Sequence, residues 1–149
     1  MRIMAIDYGD ARTGVAVSDP TGVLAGQTFL IKSRKADVVL AELVALVQKQ
    51  GAEELVMGYP RNMDGTVGPR AEKYAAFAKR LEEAAGMPVV LWDERRTTVD
   101  AHRILGELGI RAKNRKDKID SVAATLILEG YLDWKRIQAQ RKEREEKNP

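Results

Sequence analysis

Four acids stand where regular structure ends in this 149-residue sequence. Asp7 follows the apolar run Ile3–Ile6, Asp93 and Glu94 follow Pro88–Trp92, and Asp120 opens an amphipathic stretch near the C-terminus. A carboxylate after an apolar strand must be solvated, paired or bound to a cation. Hard divalent cations such as Mg²⁺ or Mn²⁺ take oxygen ligands, commonly one or two carboxylates together with waters and substrate phosphate. Two such ions about 4 Å apart can activate a water and stabilise the leaving oxygen of a phosphodiester. That chemistry needs neither thiol nor imidazole. The sequence has no cysteine and a single histidine, His102, which reads as a surface or packing residue of a helix.

Taken singly, each acid has an ordinary explanation. An Asp before Gly forms turns, acids are favoured near helix N-termini by the dipole, and Asp93 or Glu94 can salt-bridge Arg95 or Arg96. Adjacent strand residues point to opposite faces, so Asp93 and Glu94 reach one cation together only if the chain has already turned. Glu94 is preferred for its longer side chain, with Asp93 as its rival. Asp117 lies three residues before Asp120 and on the same side of a helix, where it can support the site.

Cations accompany the acids. Asp7-Tyr8-Gly9-Asp10-Ala11-Arg12-Thr13-Gly14 reads as a tight hairpin whose glycines allow close backbone approach to phosphate, with Arg12 as its partner, and an ordinary hairpin explains the glycines equally well. The loop from Tyr59 to Gly68 contributes Arg61 and Asn62, and Arg70 follows it. Arg95 adjoins the acidic pair. Arg111, Lys113, Arg115, Lys116 and Lys118 crowd one segment, of which Arg115, Lys116 and Lys118 are assigned to substrate. A second group comprises Lys135, Arg136, Arg141, Lys142 and Arg144. The formal net charge of +3 is mild, so its distribution matters more than its total, and it fits either an anionic polymer partner or an ordinary solvated surface.

The elements that must position these groups follow from periodicity. Residues 2–8 alternate, with Ile3, Ala5 and Asp7 on one face and Met4, Ile6 and Tyr8 on the other. Thr13–Val17 and Gly26–Ile31 read as returning strands, so the chain opens as a three-stranded antiparallel meander. A helix capped by Ser33 ends at Gly51 and buries Val39, Leu40, Leu43 and Val47. Glu54–Gly58 is a strand. Pro69 opens a helix with Ala71, Tyr74, Ala75, Ala78 and Leu81 inward, ended by Gly86. Pro88–Trp92 is the fifth strand. Thr97-Thr98-Val99-Asp100 has capping-box form for a helix to Gly109. A last helix from near Lys118 buries Ile119, Val122, Ala123, Leu126, Ile127 and Tyr131. The order β-β-β-α-β-α-β-α-α predicts an α/β fold, a mixed sheet with helices on both faces.

The length and the 44% apolar, 32% charged composition suit one soluble domain. Residues 1–140 are assigned to it, and 141–149 to a polar tail expected to be disordered. The first apolar run meets a carboxylate too soon for a signal peptide, and no run approaches the roughly 18 apolar residues of a membrane span. A cytoplasmic location with no membrane partner is expected.

The motifs together resemble the YqgF/RuvX family. Ala5-Ile6-Asp7-Tyr8-Gly9 with Arg12–Ala16 and Ser18-Asp19 is similar to its opening, and Gly58-Tyr59-Pro60 through Asn62, Asp64 and Gly65 to its second motif. Tyr59 stands where leucine is common. Asp93-Glu94-Arg95 with Thr97-Thr98 is similar to the third motif, and Lys118-Ile119-Asp120-Ser121 with Ala123-Ala124 and Ile127-Leu128 to the last. The resemblance runs in order to about Trp134. It implies an RNase H-like five-stranded sheet, shared with RuvC-type resolvases. It further implies a metal-dependent nuclease with Asp7, Glu94 (or Asp93) and Asp120 as catalytic groups and Mg²⁺ or Mn²⁺ as cofactor. The family is associated with 5′-end maturation of 16S rRNA and with four-way DNA junctions. Structured RNA (pre-16S rRNA), branched DNA and ribosomal particles are therefore the expected partners, and junction cleavage would call for a two-fold homodimer.

Two rival readings use the same residues. Asp-x-Gly near Thr-Gly also resembles the phosphate-binding hairpin of sugar kinases, Hsp70 and actin. Those close two such domains around ATP, and this chain supplies one. A ribosome-associated RNA-binding factor without chemistry would keep the cations, but clustered carboxylates repel phosphate unless a metal is present.

Overall fold

The structure, a computed structural model, describes residues 1–60, 68–93 and 112–147, and of residues 112–121 the helical backbone alone. The helix expected over Thr97–Gly109 lies outside the described residues. So do the tip of the loop after the fourth strand and the end of the chain.

Strands β1 (Ile3–Asp7), β2 (Arg12–Ser18), β3 (Ala25–Lys32), β4 (Glu54–Tyr59) and β5 (Val89–Asp93) form one sheet in the order β3-β2-β1-β4-β5. The first three are antiparallel neighbours, whereas β4 runs parallel to β1 and β5 parallel to β4. The expected meander followed by βαβ units is what forms. Helices α1 (Ala36–Gln50) and α2 (Pro69–Ala85) lie between the parallel strands in sequence, and α3 (Ala112–Lys147) closes the described chain.

The alternation in β1 divides the core in two. Met4, Ile6 and Tyr8 join Val39, Leu43, Val47, Tyr74, Phe77 and Leu81 beneath α1 and α2. Ile3 and Ala5 join Ala16, Val56, Ala124, Ile127, Leu128 and Tyr131 beneath α3. Burying both faces of the central strand removes most of its apolar surface from water, at about 25 cal/mol per Å². Tyr8 at its end stacks on Phe77, with ring centroids 3.9 Å apart, and meets Tyr74 edge-on. This cluster fixes the end of β1 against α2.

Several boundaries differ from expectation, each for a local reason. The cap of α1 is Lys35, with no side-chain hydrogen bond. Ser33 Oγ accepts from the Lys35 N–H at 3.1 Å in the turn before the helix. Phe77 takes a core position on α2, and Ala75 is half-buried. On α3, Ala124, Leu128 and Leu132 are buried while Val122 and Leu126 are partly exposed, because the helix lies flat on the sheet through a different stripe.

Helix α3 begins at Ala112, six residues before the expected start near Lys118. It also runs to Lys147, through most of the segment expected to be a disordered tail. No glycine or proline interrupts 110–118, and 138–147 consists of Gln, Ala, Arg, Lys and Glu, all strong helix formers. Once a helix is nucleated on the sheet, each such residue adds a hydrogen bond without a new nucleation cost. The pair Glu143–Lys147, at 3.5 Å, adds the favourable i,i+4 order of charges.

Candidate functional site

Asp7 ends β1, the middle strand of the sheet. From β1 the chain turns back into β2 on one side, while β4 lies on the other. The carboxyl end of β1 is thus where the strand order diverges, the place where open α/β sheets form ligand crevices. Asp7 is half-buried and lies in register with Gly14 of β2. Its face of the strand is that of Ile3 and Ala5, the face covered by α3.

The hairpin beyond it is tightly folded. A Cβ on Gly9 would stand 2.2 Å from the Arg12 carbonyl oxygen, so only glycine fits that turn. Thr13 is fully buried, and its Oγ1 accepts from the Gly9 N–H at the long distance of 3.5 Å. Asp10 at the tip receives a hydrogen bond from Lys73 Nζ of α2 at 2.8 Å. That bond, and next the charge of Lys73, holds the Asp10 carboxyl below the usual range, with smaller contributions from Arg70 and Arg34; the same pairing raises Lys73. Arg70 donates to the Tyr74 hydroxyl at 3.0 Å and lies over its ring. The first two turns of α2 therefore flank the hairpin with two cations, one of which, Lys73, lacked any signal in the sequence beyond a helical charge.

Asp93 ends β5 and pairs with Tyr59, while Trp92 pairs with Gly58. Val90 and Trp92 pack on the α3 side. Strand alternation consequently puts Asp93 on the α1–α2 face, opposite to Asp7. Glu94, Arg95, Arg61 and Asn62 lie outside the described residues. Arg70 and Arg12 are both at the Asp7 edge, and the loop after β4 leaves that same edge, as its parallel pairing with β1 requires.

Helix α3 runs antiparallel to β1. Leu132, Asp133, Arg136 and Ala139 share a groove with Met1 and Ile3 at the amino end of the strand, while Ala124 and Ile127 lie earlier in the helix, on the stripe facing Ala5. Position 120 is one turn before Ala123 and Ala124. From Leu132 back to position 120 is about 18 Å at 1.5 Å per residue, and from Ile3 to Asp7 about 13 Å. The backbone at 120 thus lies toward the Asp7 end of the sheet, with positions 115, 116 and 118 farther along the helix. Asp117 lies within this segment.

Among the described residues no group of three or more acids or histidines is set to hold a metal ion. Of the expected acids, these residues include the side chains of Asp7 and Asp93 only. No helix among them is long and apolar enough to cross a membrane.

Comparison with known proteins agrees with this architecture. The chain is 50% identical over 133 residues to a protein of Moorella thermoacetica, covering 89% of this chain and 95% of that one. It is 47% identical over 135 residues to one of Halothermothrix orenii, covering 90% and 96%. Both bear the name "Putative pre-16S rRNA nuclease". Among solved structures, T. thermophilus RuvC in complex with Holliday junction substrate superposes with a TM-score of 0.55 at 15% identity, over 91% of this chain and 96% of that chain. Fowlpox virus resolvase in complex with junction DNA gives 0.53 at 13% identity, over 89% and 97%. Those likenesses establish the RNase H-like fold. The family model described as "RuvX: Holliday junction resolvase" matches residues 1–134, and with relatives of such identity over almost the whole length, the chain belongs to the RuvX family.

Proposed function

We propose that this protein is a divalent-metal-dependent endonuclease acting on structured nucleic acid, and that its substrate is the 5′ region of pre-16S rRNA. The observation that carries the reading is the position of Asp7, a half-buried carboxylate at the carboxyl end of the central strand, in a chain of this family. The relatives named for pre-16S rRNA support the choice of substrate.

The donor set fits Mg²⁺ or Mn²⁺. Asp7, Glu94 and Asp120 supply hard oxygen ligands and no sulfur. Alternation favours Glu94 over Asp93 as the partner of Asp7, since Asp93 lies on the opposite face and an extended residue after it would return to the face of Asp7. Position 120 belongs to the helix covering that face, toward its Asp7 end, which supports Asp120 as the third ligand. When bound, the metal would supply an activated water and charge stabilisation at the leaving oxygen. The chain's own part is positional. Strand β1, anchored through Tyr8 on Phe77, fixes Asp7, and the Gly9 turn holds Arg12 beside it for a phosphate. Arg70 and, on α3, Arg115, Lys116 and Lys118 hold flanking phosphates, joined by Arg61, Asn62 and Arg95. Ribosomal particles would present the substrate. The protein would act in the cytoplasm, where that precursor is found.

A DNA four-way junction is the second reading, favoured by the description of the family model. A two-fold dimer would be required for it. Depletion from the native cell separates the two: accumulated 16S precursor with normal recombination supports the RNA role, whereas normal rRNA ends with unresolved junctions overturn it. In vitro, Mg²⁺ or Mn²⁺ should support cleavage and Ca²⁺ should not, because its longer, looser coordination misplaces the attacking water. Full cleavage in excess EDTA would rule out the mechanism.

A further inference from the structure

Arg12 and Lys32 are directly opposite one another on β2 and β3. Register assigns them a face. Gly14 pairs with Asp7, and Arg12 and Lys32 share the parity of Gly14 and its partner Leu30, so both belong to the α3 side of the sheet, as Asp7 does. A shallow groove of about 320 Å³ opens beside them, lined among the described residues by Ala11, Arg12, Lys32, Ser33 and Arg34, three of them cations. Arg34 and Lys32 are exposed.

Resting on the nuclease reading above, we infer that the Arg12–Lys32–Arg34 groove is the track for the substrate's phosphodiester backbone on the β3 side of the reacting bond. The strand order fixes the direction. Asp7 lies at the middle of the edge, β5 with Asp93 on one side, and β2 and β3 with the cations on the other. A nucleic-acid strand held at Asp7 and drawn along this edge crosses the β-strands and meets Arg12 first, then Lys32. Two interstrand spacings and two residues of rise put Lys32 roughly 12 Å from Asp7, backbone to backbone. At 3.4 Å of axis per nucleotide that is about three to four nucleotides from the cleaved bond. The recognised chemistry is the phosphodiester backbone, common to RNA and DNA.

The test uses the full chain carrying Asp7→Asn, which separates binding from cleavage, with two probes: an RNA stem bearing a single-stranded 5′ extension, and a synthetic DNA four-way junction. Affinity is measured across a salt series, with and without the pair Lys32→Gln and Arg34→Gln. The expected result is a salt slope shallower by about 1.4 to 1.8, an unchanged melting temperature, and restoration of the slope by Lys32→Arg with Arg34→Lys. The probe showing the effect identifies the nucleic acid the track serves. An unchanged slope in a chain that binds either probe overturns the track and leaves the nuclease reading standing. Failure of the Asp7→Asn chain to bind either probe overturns both.

Discussion

The two edges of the sheet treat their charges differently. At the amino ends of β1 and β4, acids serve the fold. Asp19 accepts from the backbone N–H of Thr21, Val23 and Leu24 and from the Thr21 hydroxyl, bonds that together hold its carboxyl well below the ordinary range. Glu54 accepts from the Tyr131 hydroxyl and from Lys135 Nζ, tying α3 to β4. At the carboxyl ends the balance reverses: Arg12, Lys32, Arg34, Arg70 and Lys73 lie on the edge that carries Asp7 and Asp10. An acid with several short local donors is a structural element. An acid at a strand end among cations that converge from three other elements is placed for a ligand carrying negative charge.

The contrast breaks most sharply by removing acids at the carboxyl edge. Asp7→Asn should abolish cleavage in a chain that still folds, a loss beyond the roughly 10- to 100-fold typical of outer partners of a metal site; wild-type cleavage by the folded variant would sink the assignment. Asp120→Asn should match it. Glu94→Gln should lose far more activity than Asp93→Asn, and the reverse ranking would reassign the third ligand.

Neutralising Arg115, Lys116 and Lys118 should weaken binding and lower the salt slope by about 0.7 to 0.9 per lost phosphate contact. A slope that stays put would move the binding surface elsewhere.

At the opposite edge the expected effects are on stability. Tyr131→Phe leaves Glu54 with Lys135 alone and should cost about 1.5–3 kcal/mol, as for a hydrogen bond to a charged group, with cleavage per folded molecule unchanged. Burial first, and the Glu54 hydrogen bond second, push the Tyr131 hydroxyl far above its ordinary value. A raised acid of this kind contributes stability below the unfolded pKa near 10, and that contribution falls as pH rises above it. Denaturant melts from pH 8 to 11 should therefore converge for wild type and Tyr131→Phe. The smallest effect belongs to residues 141–149: their deletion should barely move the melting temperature, since every described side chain there is exposed.

Much of this was legible in the sequence, because alternation and helical stripes depend on local geometry. The two-faced β1, the turn at Gly9, the Pro69 start and Gly86 end of α2, and Asp7 as a strand-terminal acid follow from spacing alone. The motif order likewise carried the family. Lys32 and Arg34 were not legible: in sequence they are ordinary charges at a strand end. The extended reach of α3 was missed because polarity was weighed above helix propensity.

The amino-acid sequence by itself determined which residues carry oxygen and which carry positive charge, and that each strand has two distinct faces. Only the tertiary structure decided which of them share an edge. The parallel pairing of β1 with β4 and β5 brings the ends of distant strands together, and the β2–β3 register sets Arg12 against Lys32 on the face of Asp7. Alternation along a strand is a property of neighbouring dihedrals. Register between strands depends on how both apolar faces are buried at once, and a one-residue slip would turn every one of these side chains to the other side.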